Sequence, residues 1–232
     1  MAGTLREEAV KLRENLDKVY DAGKDAEWSD FWDTYQNNGK RANYNYAFYS
    51  MYWNDKTFRP KHSIVSTSAT QIFRGSAISD IGKIMKDNGV AFDFSRANAT
   101  FQYTFYECDT ATLPTIDASS AIKLDTTFGA MSNLVTIDKL ILGASTTYTT
   151  PFSGARELKN LIVEGTIGQN GFSVVNSSNL THDSLMSIIN ALADYSEDTS
   201  GTKWVVTLGS TNKAKLTEAE LQIANNKGWT VN

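Results

Sequence analysis

The chain has 232 residues, 41 % of them hydrophobic and 21 % charged, and its formal net charge at pH 7 is −4. This composition is typical of a soluble protein with a modest core, and the acidic balance gives no electrostatic basis for binding nucleic acid or anionic lipid. The first residues lack the apolar run of a signal peptide, and no window approaches the ~18 apolar residues of a membrane span. The single cysteine, Cys108, excludes an intrachain disulfide framework.

Residues 1–27 are predicted to form an amphipathic helix. Between residues 5 and 26 the apolar positions recur at alternating steps of four and three, which is the spacing of a coiled-coil seam. The narrow stripe favours a homo-oligomer, and the alternative is a seam that folds back onto the next segment within one chain. The predicted oligomerisation residues are Leu5, Leu12, Leu16 and Val19.

Residues 28–69 are rich in aromatic side chains, eleven of which lie between Trp28 and Phe58. The first interpretation is an N-terminal cap that covers the open apolar end of the array that follows. The second is an exposed platform that stacks on sugar rings, for which Tyr49 and Trp53 are the candidate partner-binding residues.

Residues 70–165 repeat the pattern Phe-x2-small-x2-Leu-x2-Ile/Leu. The register between the two clearest copies is 24 residues, and two fainter copies precede them. Units this small must stack to bury a continuous core, so the pattern predicts an α/β solenoid with about four repeats and one strand per repeat. The predicted core residues are Phe105, Phe128, Leu134, Ile137, Phe152, Leu158 and Leu161.

The outward face of the predicted strands is the first candidate contact surface. Side chains that flank a buried strand position project to the opposite side, because alternate residues of a strand face opposite ways. The candidate partner-binding residues chosen on this basis are Thr115, Thr136, Asp138, Asn160 and Ile162. They are mostly polar and small, which suits a sugar or the edge of another protein.

Residues 166–232 are predicted to close the array as a helix, strand, helix and strand. Thr181 is a plausible N-cap for a helix of roughly fourteen residues, and residues 203–208 alternate as a strand. Thr217 and Glu220 have the spacing of a capping box for the second helix, which should stop near Gly228. Residues 229–231 are predicted to form the last strand.

The sequence offers no group of residues for catalysis. His62 and His182 are far apart and neither has a second ligand-type residue at metal spacing. The glycines of residues 165–171 match neither the dinucleotide fingerprint nor the phosphate-binding loop. We therefore expect no catalytic, metal-binding or cofactor-binding residues, and no enzyme activity.

The repeat resembles the leucine-rich repeats of bacterial surface antigens of the BspA-like type, in which Phe-x2-Cys-x2-Leu-x2-Ile forms the centre of each unit. Phe105 and Cys108 keep that spacing, whereas Met131 and Ala155 replace the cysteine in later copies. More of the chain, residues 28–232, is similar to leucine-rich repeat proteins encoded in phages and prophages of gut bacteria. The similarity is carried by residues 43–64 and 180–232.

This resemblance implies a phage structural protein, namely a tail, baseplate or fibre component located in the virion. Such a protein would bind a protein or glycan on the host cell surface and would also contact other virion proteins. A bacterial surface adhesin of the BspA-like type is the alternative, and a glycan-active enzyme is the third hypothesis. Fold alone does not decide among them.

Overall fold

A computed structural model describes residues 45, 48–50, 60, 63–78 and 80–232. Every strand pairing within this part is parallel, and a few short helices lie before β2 and after β8, which is compatible with an α/β architecture. In chain order the elements are β1 (Ile64–Val65), α1 (Ile81–Asp87), β2 (Phe92–Asp93), β3 (Thr100–Gln102), β4 (Thr112–Ala118), β5 (Lys123–Asp125), β6 (Thr136–Leu142), β7 (Thr147–Thr149), β8 (Asn160–Gly165), α2 (His182–Ala191), β9 (Trp204–Val206), α3 (Ser210–Lys213), α4 (Glu218–Asn226) and β10 (Trp229–Val231).

The strands form three sheets whose order follows the chain. A five-stranded sheet has the order β1-β2-β4-β6-β8, a three-stranded sheet the order β3-β5-β7, and β9 pairs with β10. The predicted single strand per repeat is wrong, because a second short strand follows each of β2, β4 and β6. Thr112, Thr136 and Asn160 are direct partners in neighbouring strands, which reproduces the 24-residue register of the sequence pattern. From β3 to β8 the offset between paired residues is 23 or 24, so each segment of chain returns to a similar position in the next layer.

Phenylalanine rings stack through the core at the turn of each layer, and we call this column the phenylalanine ladder. Its rungs are Phe48, Phe73, Phe105, Phe128 and Phe152, with successive ring centroids 4.8, 5.4, 5.7 and 5.1 Å apart. All five are at most 1 % exposed, and the seven predicted core residues are buried, so that prediction is confirmed. Phe48 was not predicted as a rung, because it lies in the segment interpreted as a cap.

Backbone hydrogen bonds join the turns of the ladder to one another. Each ladder phenylalanine from Phe48 to Phe128 donates its N–H to the carbonyl of the residue before the next rung, as in Phe105 N to Thr127 O at 2.9 Å. The residues on both sides of a turn have a positive backbone angle φ, for example Thr150 at 43° before Phe152 and Gly154 at 86° after it. Glycine adopts this conformation without steric cost, whereas the other residues rely on the surrounding bonds.

The C-terminal unit, residues 166–232, follows the predicted order of elements. Thr181 caps α2 by accepting a hydrogen bond from Ser184 N–H, and Thr217 and Glu220 form the predicted capping box at α4. The helix α2 has 10 residues and is shorter than predicted, because Leu192 is already extended with ψ of 132°. The strand β9 spans residues 204–206 rather than 203–208, and the short helix α3 was not predicted.

Candidate functional site

The outward face of β4, β6 and β8, called the strand face below, contains the residues that the sequence nominates for binding. Thr112, Thr136 and Asn160 lie side by side where these three strands begin. Asn160 donates its side-chain amide to Thr136 Oγ1 at 3.1 Å. Neighbouring strands lie about 4.8 Å apart, so the spacing of this row is set by the sheet and not by loops.

A bulge alters the spacing of outward side chains in the middle of the face. The pairing of β6 with β8 shifts between Ile137 and Leu140, so that Asp138 and Lys139 together lie opposite Ile162. The two-residue alternation assumed in the prediction therefore holds in β8 and from Thr136 to Asp138, and it breaks in β6 only at Lys139. A bulge redirects side chains at the surface of a sheet, and here it adds one polar group to the face.

Charged and hydroxyl groups complete the strand face. Lys139 Nζ lies 2.7 Å from Glu164 Oε1, with the two side chains 37 % and 49 % exposed. Thr115 is the cross-strand partner of Lys139. An exposed ion pair contributes little to stability, so both groups can exchange their partner for a ligand at small cost.

A helix closes the strand face at the β8 edge. Leu161 N–H donates to Ser184 Oγ at 2.9 Å and Val163 N–H to Ser187 Oγ at 3.0 Å, so serine hydroxyls of α2 replace the next strand. On the other side the sheet continues from β4 to β2, and Lys83 N–H at the start of α1 donates to Thr112 Oγ1 at 3.1 Å. The covered β8 edge does not recruit a further strand.

The structure brings the nominated strand residues to one surface. Asp138 and Asn160 are exposed, while Thr115, Thr136 and Ile162 are partly exposed. Tyr49 is 44 % exposed but lies on the turns of the phenylalanine ladder. Residues outside the described part are Trp53 and the predicted oligomerisation residues Leu5, Leu12, Leu16 and Val19.

A second surface group, the Arg74 cluster, consists of Arg74 and the rings of Tyr49, Tyr103 and Tyr106. The guanidinium carbon of Arg74 lies 5.8, 5.2 and 5.3 Å from the centroids of these three rings, in that order. Tyr103 and Tyr106 also meet edge to face, with centroids 5.1 Å apart. These distances are within the range of cation–π attraction.

The repeat itself assembles the Arg74 cluster. Tyr49, Arg74 and Tyr106 each follow a phenylalanine of the ladder, so the three side chains occupy equivalent positions in successive turns. The next equivalent position is Gly129, where an added Cβ would come within 2.9 Å of the Tyr106 ring. Sequence reasoning missed this cluster because it did not recognise Phe48 as a rung, although the residue after each phenylalanine was the available signal.

Nucleophilic and metal-binding groups are sparse in the described residues. Among these residues, no group of three or more His, Cys, Asp or Glu side chains could hold a metal ion. Cys108 is buried beside the Ser76 hydroxyl, at 3.2 Å, and burial raises the pKa of its thiol to about 12. His182 Nε2 lies 2.8 Å from Glu220 Oε1 on the surface, and His62 is outside the described part.

None of the helices in the described residues combines the length and the apolar character that a membrane crossing requires.

Comparison with other proteins gave no relative: no protein-family model, curated protein or solved structure matches the chain. The functional argument therefore depends on the residues and geometry of the two surfaces.

Proposed function

We propose that the chain is a non-enzymatic recognition module, built as a leucine-rich repeat solenoid of the BspA-like type, that binds a protein or glycan on a bacterial surface. The observation that carries this proposal is the 24-residue register at which β4, β6 and β8 begin, which aligns Thr112, Thr136 and Asn160 in a row on the strand face. Regularly spaced groups on a rigid sheet suit a partner that is itself extended or repetitive.

Stacking between neighbouring layers supports the solenoid. Each phenylalanine of the ladder contacts the rings before and after it, and the turn backbones are hydrogen-bonded in the same sequence. A single layer could not bury its ring or pair its backbone groups alone, so the layers depend on one another as they do in repeat proteins.

The chemistry of the strand face supports binding to a protein or a sugar. Hydroxyl, amide, carboxylate and ammonium groups project from adjacent strands, and the sheet itself arranges them. Hydrogen-bonding groups whose positions are fixed by a sheet lose little conformational entropy when a partner binds.

Cell binding tests the strand face directly. A triple variant with Thr136→Ala, Asp138→Ala and Asn160→Ala should lose most binding of the labelled protein to host cells, measured by flow cytometry. The matched control carries Asp125→Ala, Thr149→Ala and Ser153→Ala, which removes similar polar groups from β5, β7 and the turn that follows. Equal binding by the two folded variants would contradict the proposed site.

We also place the protein, as part of this proposal, in a phage tail, baseplate or fibre. The support is the resemblance of residues 28–232 to repeat proteins encoded in phages and prophages. Mass spectrometry of purified particles should then detect the chain in the virion. Recovery only with the bacterial envelope would instead favour a surface adhesin.

Self-association would increase the strength of such binding. Copies joined through residues 5–26 would present several strand faces together and bind a repetitive surface with avidity. Size exclusion with light scattering should find an oligomer for the full chain and a monomer after deletion of residues 1–26. A full-length monomer at micromolar concentration would exclude this arrangement.

A further inference from the structure

Among the described residues, the guanidinium of Arg74 has no carboxylate partner. It donates one hydrogen bond, from Nη1 to Gln71 Oε1 at 2.9 Å. Within the described residues no carboxylate lies inside the 4.0 Å that defines an ion pair with Arg74. A guanidinium has several N–H donors in a planar fork, so most of these donors are left for solvent or a ligand.

The surrounding tyrosines make this charge a favourable position for an anion. The faces of the rings attract the guanidinium and displace part of its water, but the rings do not neutralise its charge. A carboxylate or phosphate can bind the guanidinium edge through two parallel hydrogen bonds, which are stronger where water is partly excluded. An oxyanion would therefore provide the negative charge that Arg74 lacks among the described residues.

The same rings offer an apolar surface next to the charge. Tyr49 is 44 % exposed, and Tyr103 and Tyr106 are partly exposed. Aromatic side chains with one apolar face and one polar tip suit ligands that combine apolar and hydroxyl-bearing sides, as a sugar ring does. An anion carried on a sugar would use both parts of the cluster.

We propose that the Arg74 cluster binds acidic saccharides, in which an oxyanion on the ring pairs with Arg74 while the sugar packs against the tyrosines. This inference rests on the proposed function and specifies a ligand class for it, at a surface distinct from the strand face. The oxyanion can be the carboxylate of a uronic acid or a phosphate ester, since both present two acceptor oxygens to a guanidinium.

Calorimetric titration of the full chain separates the two sources of the anion. The probes are a galacturonic acid oligomer, its fully methyl-esterified neutral form, and mannose 6-phosphate. We expect at least one anionic probe to bind and the neutral oligomer to bind about tenfold more weakly or not at all, because it lacks the charge-assisted hydrogen bonds. The anionic probe that binds more tightly shows whether the site takes a carboxylate or a phosphate.

Matched variants assign the binding to the cluster. Arg74→Gln should weaken the anionic probe by about tenfold or more, while Arg156→Gln, which removes an exposed arginine elsewhere on the array, should leave affinity unchanged. Tyr49→Ala should also weaken binding, and it tests the cluster independently if Arg74→Gln proves unstable. Arg74→Lys retains the charge without the fork and should give an intermediate affinity.

Three results would overturn the inference: no binding of any probe, equal binding of charged and neutral oligomers, or equal affinity of the Arg74→Gln, Tyr49→Ala and Arg156→Gln proteins. None of them decides the proposed function, because cell binding by the strand-face variant is measured separately. If that variant loses cell binding while the titrations give one of these three results, the recognition role stands and the saccharide site fails.

Discussion

The phenylalanine ladder and the C-terminal unit are stabilised in different ways. In the ladder the same contact is made repeatedly, since each buried ring stacks on its neighbours and each turn bonds to the next. In the C-terminal unit most polar contacts occur once, as where the Trp229 indole donates to Ala193 O at 2.8 Å. Because the same short pattern recurs, a few residues per repeat form a large apolar core. The C-terminal unit instead depends on contacts that each occur only once.

Lysine side chains illustrate the second kind of contact. Lys227 Nζ donates to the carbonyls of Ile189, Asn190 and Leu192 at 3.3, 2.7 and 3.0 Å, which satisfies the end of α2. Burial lowers the pKa of Lys227. A cation at the C-terminal end of a helix also compensates the helix dipole. Stability of this unit should therefore depend on individual charges more than stability of the ladder does.

Removal of one rung should produce the largest loss of stability. Phe128→Ala leaves a cavity between Phe105 and Phe152, and we expect it to lower the free energy of unfolding by about 3–5 kcal/mol. Urea denaturation followed by circular dichroism measures the loss. Ile122→Ala is the control, since Ile122 is 52 % exposed; similar losses for both variants would show that the ring stack is not the main source of stability.

Removal of the lysine cap should have a smaller effect that is confined to the C-terminal unit. Lys227→Met keeps much of the side-chain volume but leaves carbonyls at the end of α2 without their donor, which should cost about 1–3 kcal/mol. Hydrogen exchange should accelerate in residues 182–232 and stay unchanged in residues 101–165. Lys203→Met, at an exposed position, is the control, and faster exchange throughout the ladder would contradict this division.

Acid should weaken the C-terminal unit through three carboxylates. Asp194, Asp198 and Glu220 each accept a hydrogen bond from a backbone N–H two or three residues away, which lowers their pKa from ordinary values of 3.8, 3.8 and 4.5. Because the folded pKa is the lower one, their stabilisation is present above the unfolded pKa and is lost as pH falls through the folded pKa.

Urea unfolding between about pH 6 and pH 3 tests this dependence. Glu220→Gln should lose less stability over that interval than the wild-type chain, because one of the titrating groups is gone. Asp183→Asn removes an exposed carboxylate nearby and serves as the control. An unchanged slope in Glu220→Gln would mean that the capping box does not contribute to acid sensitivity.

The smallest expected signal is the reactivity of Cys108, which reports on opening of the ladder. Its thiol is 1 % exposed and has a pKa of about 12, so alkylation by iodoacetamide at neutral pH should be negligible in the native protein. Phe128→Ala should increase the rate and Lys227→Met should leave it unchanged. Equal acceleration by both variants would show that the two regions open together.

Where the sequence repeats, it predicts the structure well. Leu134 and Leu158 recur at the same position, and both are buried as that recurrence requires. Equivalent positions in stacked layers have equivalent surroundings, so the burial of a residue in one copy predicts the burial of its equivalent in the next copy. The helices of the C-terminal unit were predictable for another reason, because Thr181 and Thr217 are local signals that depend on nearby backbone alone.

Where the spacing changes, sequence reasoning was less successful. Phe48, Phe73 and Phe105 are separated by intervals different from the 24 residues between Phe128 and Phe152, since α1 and β2 lie within the longer interval. This irregularity hid the first rung and, with it, the Arg74 cluster. The lysine contacts of the C-terminal unit were also missed, because a long side chain can reach carbonyls that no spacing rule identifies.

The repeated register also has an evolutionary consequence. Where β4, β6 and β8 begin, positions 24 residues apart are direct partners, so recombination between equivalent codons of two copies would add or remove one whole layer. The hydroxyls of Ser184 and Ser187 require only a backbone edge to bind, and any final layer provides one. The width of the strand face would then change by whole layers in single genetic events.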